Sequence, residues 1–80
     1  MTDKTIAEML IQAYHAIKAI RDPYQKTRLG NTWSWLTNQK CQKDYRHTGK
    51  TLTYLHLFVD GSCLEYDQLN KSIRIAEWKN

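Results

Sequence analysis

The chain has 80 residues, with 12 Lys+Arg against 8 Asp+Glu for a formal charge of +4, and 41% hydrophobic and 25% charged residues. Such a composition predicts one small soluble domain with room for a single modest core. No apolar run approaches the ~18 residues of a membrane span, the polar start Met1-Thr2-Asp3-Lys4 carries no signal-peptide core, and two cysteines cannot build a secreted disulfide framework; a cytoplasmic protein is expected.

The first element in the chain is the clearest. Ile6, Met9, Leu10, Ala13, Ile17 and Ile20 form one stripe at helical spacing, with Glu8, Gln12, His15, Lys18 and Asp22 on the opposite one. Thr5-Ile6-Ala7-Glu8 reads as a capping box, so a helix is expected over about 5–21. Asp22-Pro23 ends it and can start another, with Asp22 as N-cap and Pro23 in the first turn. Leu29, Trp33 and Leu36 share a face, so a second helix is expected over 23–38, bent or broken at Gly30. Trp33 and Trp35 lie about 200° apart on it, which puts Trp33 inside and Trp35 outside.

From Thr51 the pattern turns to strand. A run over 51–59 rich in Thr, Tyr, Leu and Val meets Asp60-Gly61 and a second run over 62–67, which signals a two-residue hairpin. In that register Leu55, Leu57 and Val59 share an aliphatic face with Leu64 and Tyr66, while Tyr54, His56 and Phe58 share the other with Cys63, Glu65 and Asp67, His56 opposing Glu65. A third strand is expected over 72–78 with Ile73 and Ile75 on the aliphatic face and Arg74 opposite Asp67, against a competing C-terminal helix, and a strand over 42–47 would add a fourth. The expected architecture is α+β: two N-terminal helices packed on the aliphatic face of a three- or four-stranded antiparallel meander, the whole chain forming one domain.

Catalytic and metal signatures are missing from this pattern. Cys41, His47, His56 and Cys63 lack the close ligand pairing of structural zinc sites, there is no nucleophile elbow or glycine-rich phosphate loop, and no cofactor is expected. The best positive feature is the stretch 38–50, where Lys40, Lys43, Arg46 and Lys50 stand with Tyr45 and His47 against a single acid, Asp44. Cations supply phosphate affinity and rings supply stacking. With Trp35, and with Tyr54, His56, Phe58 and Arg74 on an outer sheet face, they suggest a non-enzymatic binding or regulatory module docking on nucleic acid or a nucleic-acid-bound protein complex. The alternative is an inhibitor or adaptor, of the accessory type that phages and mobile elements encode, using the same rings or a sheet edge against a protein with an acidic surface. A third is a small metal-independent ribonuclease of the toxin kind, built on Tyr45, Arg46, His47 and Lys50.

Overall fold

The computed structural model describes residues 4–39, 41–48, 51–67 and 69–78. Two helices, α1 (Ile6–Lys18) and α2 (Pro23–Thr37), precede a four-stranded antiparallel meander of β1 (Gln42–Thr48), β2 (Thr51–Leu57), β3 (Cys63–Asp67) and β4 (Ser72–Ala76), ordered β1-β2-β3-β4. The C-terminal segment is therefore strand, and the fourth strand before β2 is present.

Local chemistry accounts for the helix ends. Thr5 and Glu8 form the reciprocal capping box, and Asp22 caps α2 by accepting from Tyr24 N–H at 3.0 Å, with Pro23 in the first turn. α1 stops at Lys18, with Ala19 as C-cap, rather than running to 21. α2 continues unbroken through Gly30, although a mid-helix glycine costs about 1 kcal/mol. A tertiary contact also holds α1: its free Ile6 and Ala7 N–H groups donate to the Asp60 carboxylate at 2.8 Å and the Ser62 hydroxyl at 3.1 Å, both in the β2–β3 turn.

That turn corrects the expected register by one residue. The bond from Phe58 N–H to Ser62 C=O and that from Gly61 N–H to Phe58 C=O enclose three residues, not two. Gly61 takes φ +86° while Asp60 does not enter the left-handed region, as in a type I turn closed by a left-handed glycine. Asp60 instead uses its side chain to hold Ser62 and α1. Leu57 then opposes Cys63, His56 opposes Leu64, Leu55 opposes Glu65 and Tyr54 opposes Tyr66. Every β2 side chain changes face relative to β3.

The helices consequently cover the side that carries Tyr54, His56, Phe58, Leu64 and Tyr66, not the one that carries Leu55 and Leu57. Phe58 is 6% exposed and joins Ala7 and Leu64 in the core, with Ile6, Leu10, Ile11, Tyr66 and Ile73 packed around them. Ile73 and Ile75 do share a side with Tyr66 and Leu64, as expected, but the β3–β4 register is shifted by two residues, so Arg74 opposes Glu65 and Asp67 opposes Ser72. The Asp67 carboxylate instead caps the loop, accepting from Leu69 and Asn70 N–H.

Coverage of the helix side is uneven. α1 packs on β3, β4 and α2, and Trp33 of α2 ties the helix pair together by donating its indole N–H to Leu10 C=O at 2.8 Å. Trp33 is thus half-buried, as expected, but its stripe partners Leu29 and Leu36 are exposed, and Trp35 is 61% exposed. Apart from Trp33 and Thr37, α2 is mostly exposed. The β1–β2 half of this side remains accessible beside it.

Candidate functional site

Alternation along β1 divides the basic stretch. Lys43, Tyr45 and His47 project to the helix side, because they oppose His56, Tyr54 and Leu52. Asp44 and Arg46 project to the other. Lys40 and Lys50 lie outside the described residues. Two cross-strand steps put Tyr45, Tyr54 and Tyr66 in one row over β1, β2 and β3. Tyr45, at the sheet edge, is 64% exposed, and its ring stands edge-on to His47 at 6.3 Å between centroids.

A hollow of about 320 Å³ opens between this row and α2, lined by Trp33, Ser34, Thr37, Asn38, Lys43, Tyr54, His56 and Tyr66. A second, of about 360 Å³, continues along the helix pair past Tyr14, Ile17, Lys18, Gly30 and Asn31, and shares Trp33, Ser34 and Tyr66 with the first. These volumes lie near the lower end of small-ligand pockets. Among the described residues no carboxylate lines either hollow. The rings form a connected set, Tyr14 lying 5.1 Å from Trp33 and 5.8 Å from Tyr66. Lys18 Nζ sits 5.3 Å from the Tyr14 centroid and 3.3 Å from the Lys71 carbonyl, a cation–π placement.

His56 contributes a ring rather than a charge. Burial lowers its pKa; the Thr37 carbonyl at 3.1 Å works against that shift and the Lys43 charge adds to it. The neutral imidazole donates from Nδ1 to Thr37 C=O, leaving Nε2 as an acceptor. Cys41 Sγ is 3.8 Å from the same Nδ1 and 3.1 Å from the same carbonyl. Burial raises the Cys41 thiol, with Lys43 opposing, so these two groups are shifted away from a thiolate–imidazolium pair. Cys63 projects to the opposite side of the sheet, and among the described residues no three His, Cys, Asp or Glu side chains gather as a metal site.

The side away from the helices has a different character. At its centre Glu65, 4% exposed, accepts from Arg74 Nε at 2.6 Å and the Thr53 hydroxyl at 2.8 Å, with Arg46 at 3.8 Å. A hollow of about 260 Å³ beside it is lined by sheet residues alone, among them Arg46, Thr53, Glu65, Asp67 and Arg74. Among the described residues, two guanidinium groups share this side with the three carboxylates of Asp44, Glu65 and Asp67, so it carries no positive excess.

The structure thus brings together Lys43, Tyr45, His47, Tyr54 and His56 from the residues the sequence singles out. It corrects the others: Arg46 and Arg74 turn to Glu65 on the far side, Phe58 is core, and Trp35 lines neither hollow on the helix side. Sequence reasoning missed Lys18, Tyr14 and Asn38. Only the i, i+4 spacing of Tyr14 and Lys18 marked the first two. No helix among the described residues is long and apolar enough to cross a membrane. No family model matches this chain, and no curated protein or solved structure matches it either.

Proposed function

We propose that the chain is a small, non-enzymatic cytoplasmic binding module that docks the β1–β2 half of its helix side on a polyanionic surface, nucleic acid or a nucleoprotein assembly. The observation that carries this reading is the division of charge. The far side pairs its own guanidinium groups with Glu65, whereas Lys18 and Lys43 line an aromatic groove with no carboxylate in it among the described residues. The chain's net charge is +4, and among the described residues the Glu65 side contributes none of that excess. A field of this sign steers phosphate toward the groove.

Duplex DNA binding measured from about 50 to 200 mM salt tests it. Two to four phosphate contacts give a log–log slope of about −2 to −4. Lys43→Glu should weaken binding about tenfold or more, while Arg46→Gln, on the far side, should leave it within about twofold. Salt-independent binding, or equal losses in the two variants, would contradict the reading.

A second reading has one observation in its favour. Tyr24, Leu29, Trp35 and Leu36 of α2 are 72, 42, 61 and 47% exposed, and exposed apolar residues on one short helix suit a protein partner. Binding of this kind would show little salt dependence and would be lost on truncating Trp35 and Leu36.

A further inference from the structure

The geometry points to unpaired, single-stranded nucleic acid as the occupant of the groove, with bases stacked on Tyr45 and Tyr54 and phosphates held by Lys43 and Lys18; this inference rests on the polyanion reading and specifies its ligand.

Three features argue for it. Tyr45 and Tyr54 are directly opposed across β1 and β2 on the accessible half of the helix side. Opposed residues in an antiparallel pair have Cβ atoms about 4.5–5.5 Å apart, close enough for two successive bases to meet two rings. A duplex buries its base faces in its own stack, so rings lying on a sheet are of use only to bases that are not paired, and sheet aromatics do stack two or three such bases. The second feature is the edge position of Tyr45: it is 64% exposed, and its one ring neighbour recorded among the described residues is His47. The third is the polar lining. Asn38 and Ser34 border the hollow beside Lys43, and His56 keeps Nε2 as an acceptor while Thr37 holds its Nδ1 proton. These groups suit the donors and acceptors of exposed base edges. Charge complementarity favours this occupant over an apolar peptide, because among the described residues two lysines and no carboxylate line the hollows.

Fluorescence anisotropy with labelled oligo-dT and oligo-rU, the same length of mixed duplex, and heparin as a polyanion without bases tests the inference in the full chain. The expected result is binding of one or both single strands at least tenfold tighter than duplex or heparin at equal salt. Tyr45→Ala and Tyr54→Ala should each cost about tenfold on the single strand, within the ~1–3 kcal/mol of one stacked base, and less than twofold on heparin. Tyr45→Ala keeps the comparison sound should Tyr54→Ala impair folding, since far-UV circular dichroism is expected to be unchanged for a residue so exposed. Equal binding of all the polyanions with no effect of Tyr45→Ala would overturn the single-strand assignment and leave the polyanion reading standing. No binding to any of them at 50 mM salt would overturn both.

Discussion

Replacing Leu64 with alanine should destabilise the domain by about 3 kcal/mol, within the ~2–5 kcal/mol seen for buried leucines. Leu64 is fully buried and belongs with Ala7 and Phe58 to the small cluster where α1 meets the sheet, with Leu10, Ile11 and Ile73 among the side chains packed against it. Few large side chains share that cluster, so little can relax into the space left behind. A domain of this length has a total stability of about 4–12 kcal/mol, and at ~4–8 °C per kcal/mol the melting temperature should fall by more than about 10 °C. Ile75, its cross-strand neighbour on β4, is 54% exposed, and Ile75→Ala should cost less than about 1 kcal/mol. Urea unfolding of both variants checks the pair. Equal effects would mean that α1 does not seat on β3.

Arg74→Glu should cost about 2 kcal/mol at pH 7 and progressively less below about pH 4. Breaking a buried ion pair typically costs ~3–5 kcal/mol because a charge is left without its partner. The smaller figure applies here because the Arg74 side chain is 73% exposed and water screens it. The carboxylate is the vulnerable member. Burial pushes Glu65 upward, but the Thr53 hydroxyl, Arg74 and Arg46 outweigh it and hold the group below the ordinary glutamate value. A carboxylate depressed in the folded state contributes stability that is fully present above its unfolded pKa of ~4.3 and is lost as pH falls through its folded pKa. The wild type should therefore weaken in acid. The variant, which sets two carboxylates across β3 and β4, should be weakest at neutral pH, and the difference between the two should narrow as both acids protonate. Thermal melts at pH 3 and pH 7 measure this, and a constant difference would contradict it.

The elements themselves were largely legible in the sequence, since each rests on a local signal. Thr5 and Glu8 mark one helix start and Asp22-Pro23 the other. The alternation of Leu64 and Tyr66 with Ile73 and Ile75 placed the right residues of β3 and β4 together under the helices. The error in the β2–β3 register arose at one turn. Asp60-Gly61 reads as a two-residue loop when only local sequence is considered, but Asp60 is also engaged by Ile6, 54 residues away. No local pattern carries that contact, and the extra turn residue it accompanies reversed every β2 side chain relative to β3. Hence Phe58 moved from the expected surface to the core and His56 left Glu65, while a separate two-residue shift between β3 and β4 brought Arg74 opposite Glu65.

The candidate site was legible in composition and not in arrangement. A run of cations between residues 38 and 50 reads as one cluster along the chain, whereas a strand sends neighbours to opposite sides, separating Lys43 from Arg46. The partners that complete the groove, Tyr14, Lys18 and Trp33, come from the helices. Their proximity to Tyr54 and Tyr66 depends on how α1 and α2 sit on the sheet, a long-range property that helical periodicity alone does not contain.

The most direct measurement is amide chemical-shift mapping of the isotope-labelled protein titrated with a single-stranded oligonucleotide at low salt. The proposed docking surface predicts that perturbations concentrate on Ser34, Asn38, Lys43, Tyr45 and Tyr54, with Leu55, Glu65 and Arg74 nearly still. Perturbations centred on the Glu65 side, or none across the whole sheet, would contradict it.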